Sequence, residues 1–292
     1  MESGNEMNVT NSAFGPVAVL VSCGSFSPVT FMHLLIMETA RNYMEHVMKI
    51  PVVAGYFSAV SDAYKKPHLV CADHRLAMLE LAVSDSTWLN VHRWEARMDR
   101  AVSSYEVVCE IRDEYVEYLR AKEPRSCKAN PDARMLAEES CGQESDNRCV
   151  RMMFVCGEDV ARCILTRSGW PNANVERLMQ NTELLVMPRP PGIPPSESVP
   201  SAEHPSTERC SGPAPCSLPA SQNSTPIADL LTEPRNVEFA HRVHLVSADD
   251  GRIPCCNISS SLVRHHIRTS QSIMYMTPSS VVEYIEQHLV FG

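Results

Sequence analysis

The segment Cys23-Gly24-Ser25-Phe26-Ser27-Pro28-Val29-Thr30-Phe31-Met32-His33 joins a short β-branched run, Val17–Ser22, to a stretch of helical periodicity. Glycine at a strand exit lets backbone come close to a ligand, and the start of the following helix presents unpaired N–H groups that favour an anion. The chemistry these residues offer is phosphate binding, with His33 in the first turns of the helix as a nitrogen donor to a polyphosphate. The turn is not a Walker loop, since no G-K-[ST] follows, and not a dinucleotide fingerprint, since G-x-G-x-x-G is absent. A lone histidine is more often structural; the spacing of His33 from Gly24 is what favours the phosphate role. Two further polar groups sit at an element boundary: Gly157-Glu158-Asp159 after the run Met152–Cys156, and Ser259-Ser260-Ser261 ahead of Arg264. Taken singly, Asp159 is an acid at a helix N-terminus and the serines are a cap.

Side chains so far apart in sequence need a scaffold that brings strand ends together. Val17–Ser22 and Val52–Phe57 read as strands, with Phe31–Met48 between them carrying apolar residues at helical spacing (Leu34, Leu35, Met37, Ala40, Met44, Val47). His74–Val83 and Ser103–Leu119 repeat the helical pattern on either side of a strand at Trp88–Val91. Strands follow at Met152–Cys156, Leu184–Met187 and Val243–Ser247, and helices near Val160–Leu165, Ser261–His266 and Ser279–His288. Such alternation implies an α/β fold with a parallel sheet covered on both faces, which binds ligands beyond the carboxyl ends of its strands.

Composition narrows the function classes. With 26 Lys+Arg against 35 Asp+Glu the net charge is −9, which argues against holding long stretches of nucleic-acid backbone. No run approaches the ~18 apolar residues of a membrane span. The acidic start Met1-Glu2-Ser3-Gly4-Asn5-Glu6 does not resemble a secretory signal, so the reading is an intracellular protein, cytoplasmic or nuclear, with no membrane partner. The 12 cysteines are scattered without C-x-x-C spacing and read as reduced thiols rather than metal ligands. From Pro188 to Pro234, where 12 of the 21 prolines fall among Ser, Thr and Glu, a packed element is not expected. The polar stretch Ala121–Cys149 also reads as a loop. The expected organisation is therefore a single catalytic domain over residues 14–292, after a flexible N-terminus 1–13, interrupted by disordered insertions at 121–149 and 190–235.

The first turn resembles the G-[ST]-F-x-P-x-[HT]-x-x-H signature of nucleotidyltransferases in the alpha/beta phosphodiesterase superfamily. The resemblance narrows to eukaryotic-type nicotinamide/nicotinate mononucleotide adenylyltransferases through Ser58–Leu69 followed by His74-Arg75, Trp88, Trp94-Glu95, Cys156–Asp159, Trp170 and Ile258–Arg264, all in that family's order. It implies a Rossmann-like, doubly wound parallel sheet. It also implies that Gly24, Ser25 and Phe26 line the nucleotide phosphates and that His33 bonds to ATP and the transferred phosphate. Gly157 and Asp159 would then hold the adenosine ribose, and Ser259, Ser260, Ser261 and Arg264 the β- and γ-phosphates. On the acceptor side it assigns Tyr64 and Lys66 to the mononucleotide phosphate, Trp170 to stacking on the pyridine, Ser104 to a polar contact and Glu95 to the pyridine pocket. Trp88 and Trp94 are read as core.

Departures from the family pattern are Ser27 for Asn, Ala59 for Pro, Ser261 for Thr, altered neighbours at Gly169 and Cys256, and Ala101 for a second ring-stacking Trp. The ATP half is thus better kept than the acceptor half. The implied reaction is adenylyl transfer from ATP to nicotinamide mononucleotide, with the nicotinate form as a further acceptor, giving a dinucleotide and pyrophosphate. His33 and Arg264 would stabilise charge, and Mg2+ would be held mainly by the ATP phosphates, without protein ligands. Homo-oligomer formation is compatible with the sequence. Two alternatives remain: another phosphate monoester as acceptor, and a non-catalytic nucleotide-binding or interaction protein.

Overall fold

The computed structural model describes residues 16–122, 150–188, 225–246 and 258–292. Six parallel strands form one sheet in the order β3-β2-β1-β4-β5-β6. They are β1 Val17–Gly24, β2 Val52–Ala59, β3 Leu89–His92, β4 Val150–Gly157, β5 Glu183–Met187 and β6 Val243–Leu245. The described helices are α1 Phe31–His46, α2 Ala72–Val83, α3 Ser104–Lys122, α4 Glu158–Thr166, α5 Asn172–Asn181, α6 Ile227–Leu231, α7 Ser260–Arg268 and α8 Ser279–Gln287. The α/β fold with a parallel sheet covered on both faces, expected from the alternation, is observed, and in the doubly wound form that the resemblance implies.

Alternation of side chains along the central strands explains the two covered faces. In β1 Ala18, Val19, Leu20 and Val21 are all fully buried. Ala18 and Leu20 join the core beneath α1, α2, α7 and α8, and Val19 and Val21 join the core beneath α3, α4, α5 and α6. In β4 Met153 and Val155 face the first core, and Met152 and Phe154 the second. A strand covered on both sides must be apolar at every position, which is why it reads as a continuous hydrophobic run. Each large side chain so buried contributes roughly 1.5–3 kcal/mol.

The chain winds outward through β1, β2 and β3, then returns by α3 across the other face to place β4 beside β1. The winding reverses between β1 and β4, and the reversal opens a crevice at their carboxyl ends, Gly24 and Gly157. Helix α1 turns its Met37, Ala40 and Met44 inward and is capped by Thr30. No helix among the described residues is long and apolar enough to cross a membrane.

Two details differ from the sequence reading. The helix Asn172–Asn181 was not anticipated: its buried positions are three, Val175, Leu178 and Met179, within an otherwise polar segment. The second insertion, expected to run to residue 235, is packed from residue 225 onward. Ile227 and Leu230 of α6 are buried, Asn236 donates to Leu165 O at 3.1 Å and Leu230 O at 2.8 Å, and Arg162 donates to Thr225 O. Two apolar side chains and a set of backbone carbonyl anchors thus outweigh the flanking Pro226 and Pro234. Residues 121 and 122 continue α3. The N-terminus 1–13, the remainder of the two expected insertions and Cys256 lie outside the described residues.

Candidate active site

Two adjoining cavities occupy the crevice at the strand ends. The first, about 410 Å3, is lined by the β1 turn, the starts of α1, α4 and α7, and the 66–69 loop. Of the residues expected at ATP it contains Ser25, Phe26, His33, Gly157, Asp159, Ser259, Ser260, Ser261 and Arg264. Gly24 lines the second cavity, about 280 Å3, together with all five residues expected at the acceptor, Tyr64, Lys66, Glu95, Ser104 and Trp170. Ser25, Lys66 and Asp159 border both.

The β1 turn is built around Phe26. A Cβ on Gly24 would stand 3.1 Å from the Phe26 ring, so glycine is what lets that ring fold back under the turn. Phe26 adopts φ 46, is 2% exposed and meets Phe57 and His33 edge-on at 5.3 and 5.1 Å. The Thr30 N–H donates to His33 Nδ1 at 3.0 Å, filling the place an acidic side chain takes in a capping box. Since Nδ1 accepts, the neutral ring carries its proton on Nε2. Burial holds the His33 pKa down at about 4, so this neutral donor is the form present at physiological pH.

Arg264 ties α7 to the same turn across 237 residues. Its Nη1 donates to Ser27 O at 2.6 Å and its Nη2 to Ser261 Oγ at 3.0 Å. Its buried Nε has no partner among the described residues, and burial followed by nearby Arg268 lowers its pKa. The hydroxyls of the serine cluster are engaged: Ser259 Oγ accepts from Leu262 N–H at 3.2 Å and Ser260 Oγ donates to Pro28 O at 2.8 Å. What α7 offers an anion is its first backbone N–H groups beside the Arg264 charge, together with the O–H groups of Ser259 and Ser261, whose oxygens accept in the bonds they make. At α4, a Cβ on Gly157 would meet nothing within 4 Å among the described residues, so the glycine keeps cavity space open. Glu158 accepts from Arg162 at 3.0 Å. Among the described residues no group of three His, Cys, Asp or Glu could hold a metal ion. Nearby oxygen donors are Asp159, Glu158 and the serine hydroxyls.

Short turns position the second cavity. Tyr64 ends the turn Asp62–Tyr64, where Lys65 takes φ 48 and points the chain on to Lys66, whose Nζ lies 3.5 Å from Ser25 Oγ. Glu95 opens the turn Glu95–Arg97, Ser104 starts α3, and Trp170 follows Gly169, whose φ is 73. Trp170 is 9% exposed. Ser58 Oγ donates to Glu95 Oε2 at 2.6 Å. Burial, with the Glu95 carboxyl adding to it, raises the Cys23 thiol well above its usual range.

Trp88 is 8% exposed in the core, its Nε1 donating to Glu38 at 2.9 Å, and Trp94 packs against the second core, as their core reading expects. Ala101 is half-buried and does not line either cavity. Sequence reasoning gave Arg75 no role, yet it is fully buried. It donates to Val70 O at 2.8 Å, Ser25 O at 3.3 Å and Asp62 Oδ1 at 2.7 Å, and so anchors the β1 turn from behind. Its signal was a cation on a buried helix face next to apolar Leu76.

The cytidylyltransferase-like family model matches residues 21–266, a span that includes every candidate residue from Gly24 to Arg264. The chain belongs to this family. It is similar to a nicotinamide/nicotinic acid mononucleotide adenylyltransferase of Bos taurus, at 26% identity over 94% of this chain and 88% of that one. The corresponding protein of Schizosaccharomyces pombe is 27% identical over 94% of this chain and 60% of its own length. A solved Plasmodium falciparum nicotinic acid mononucleotide adenylyltransferase complexed with NaAD aligns with TM-score 0.49 at 12% identity, over 94% of this chain and 97% of that one.

Proposed function

We propose that the chain is a nucleotidyltransferase that moves the adenylyl group of ATP to the phosphate of a pyridine mononucleotide, nicotinamide mononucleotide or its nicotinate analogue. The products are NAD or its deamido form and pyrophosphate, which makes the enzyme a step of NAD biosynthesis. The observation that carries this reading is the pairing of the two cavities. One is faced by helix starts, His33 and Arg264, the other holds Trp170 with polar groups around it, and the two meet at Ser25, Lys66 and Asp159. That arrangement suits a triphosphate and a flat ring joined through a phosphate at the boundary. The adenylyltransferase relatives, matched across 94% of the chain, support the same reaction.

A mononucleotide phosphate is already an anion, so an in-line attack on the α-phosphorus needs no general base. Its oxygen forms the new P–O bond as the bond to pyrophosphate breaks, and the protein's task is orientation and charge stabilisation. The His33 Nε2–H donates to a phosphate oxygen, Arg264 and the α7 N–H groups take the leaving pyrophosphate, and Asp159 accepts from ribose hydroxyls. Lys66 and Tyr64 hold the acceptor phosphate, and Trp170 stacks on the ring. Mg2+ carried on ATP would supply further neutralisation of phosphate charge, and a donor set of Asp159, Glu158 (already paired with Arg162) and serine hydroxyls suits an ion held mainly by phosphates and water.

The test is pyrophosphate release with ATP and Mg2+, run in parallel with nicotinamide mononucleotide, its acid analogue, phosphopantetheine or no acceptor. Release with a pyridine mononucleotide, with the matching dinucleotide formed, is the expected result. Silence with both pyridine mononucleotides in folded protein refutes the reading.

A further inference from the structure

Glu95 is 3% exposed and lines the second cavity in company with Ser104 and Trp170. Ser58 Oγ donates to its Oε2 at 2.6 Å, which leaves Oε1 as the oxygen for a ligand. The titratable and charged groups facing it are Cys23 from β1, Arg75 from α2 and Glu106 from α3, with Tyr64, Lys66 and Asp159 bordering the same cavity. Arg75 spends its guanidinium on Val70, Ser25 and Asp62. A carboxyl so placed has two forms with opposite preferences: the acid donates an O–H, whereas the anion only accepts.

We propose that Glu95 sets the choice between the two pyridine mononucleotides, donating to the ring carboxylate when protonated and accepting from the ring carboxamide when ionised. The proposal rests on the adenylyl-transfer reading above. Burial pushes the Glu95 pKa up to about 7, against the opposing hydrogen bond from Ser58 and the charge of Arg75, so both forms are present near neutrality. Below that value the acid mononucleotide is favoured; above it the ionised carboxyl repels the substrate carboxylate and holds the amide. The proton exchanges with solvent and no covalent bond changes.

The test compares kcat/KM for the two mononucleotides in wild-type protein between pH 6 and 9, at saturating ATP and Mg2+ and constant ionic strength. The phosphate is common to both substrates, so its titration cancels in their ratio. The acid-to-amide ratio should fall by about 100-fold or more across this range, since the protonated fraction drops about tenfold per pH unit above the pKa. Glu95→Gln carries a donor and an acceptor at every pH, so its ratio should be flat. Ser58→Ala removes a donor that stabilises the anion, and should move the wild-type midpoint to higher pH. A constant wild-type ratio with both substrates turned over overturns the proposal, as does a Glu95→Gln ratio with the wild-type slope. Failure to use either mononucleotide leaves no ratio at all, and refutes the adenylyl-transfer reading together with the proposal.

Discussion

Replacing His33 by alanine separates what the ring does for the fold from what it does for the reaction. In the free protein Nδ1 is taken by the Thr30 N–H at 3.0 Å, and the ring edge rests on Phe26 at 5.1 Å. Losing a cap contact costs about 1 kcal/mol and losing the ring pair roughly another, so folding stability should fall by about 2 kcal/mol. Nε2–H is the one donor the neutral ring has left for a phosphate, and removing such a charge-stabilising donor costs ~3–4 kcal/mol in the transition state, or 100- to 1,000-fold in kcat. Steady-state pyrophosphate release gives kcat, and urea denaturation of the same samples gives stability. The pH dependence adds a signature. The His33 pKa is held at about 4, below its unfolded value near 6.5. The unfolded chain therefore binds the proton first, and wild-type stability should drop as pH falls from 6.5 toward 4. His33→Ala should lose that component. A folded His33→Ala protein with near-normal kcat would refute the assignment, whatever its stability.

Arg264→Ala should raise the KM for ATP and lower kcat together, by at least tenfold each; unaltered ATP kinetics would exclude the α7 start as the polyphosphate site. Gly157→Val fills space where a Cβ meets nothing among the described residues. It should weaken ATP binding with thermal stability little altered, and a variant with normal ATP affinity would show that no ligand approaches there. Trp170→Ala should raise the KM for the mononucleotide while leaving that for ATP near wild type; equal effects on both would point to collapse of the site instead. Arg75→Met leaves the Val70 and Ser25 carbonyls without their buried donor. We expect about 3 kcal/mol of lost stability by urea denaturation and a raised KM for ATP, and a variant as stable as wild type would contradict the anchoring role.

What the sequence determined by itself were features written in local pattern. The unbroken apolar runs of β1 and β4 announce strands covered on both faces, and Gly24 and Gly157 mark where those strands stop. All 15 site residues that the family resemblance implies, from Gly24 to Arg264, line one or other of the two cavities. Pattern failed where stability comes from partners far along the chain. Helix α6 sits between prolines; Arg162 donates to Thr225 O just ahead of it, and Asn236 links Leu230 O of the helix to Leu165 O, partners that its own residues do not reveal. Only the tertiary structure decided that Arg75 grips the back of the β1 turn, that Ser259 Oγ accepts from Leu262 N–H while Ser260 Oγ donates to Pro28 O, and that Glu95 is a buried acid beside Ser58. The physical reason is that a hydrogen-bond partner and a local dielectric are properties of packing. Residue type and spacing fix which groups reach the crevice, whereas their protonation and the donors left for a ligand depend on what the fold has already set against them.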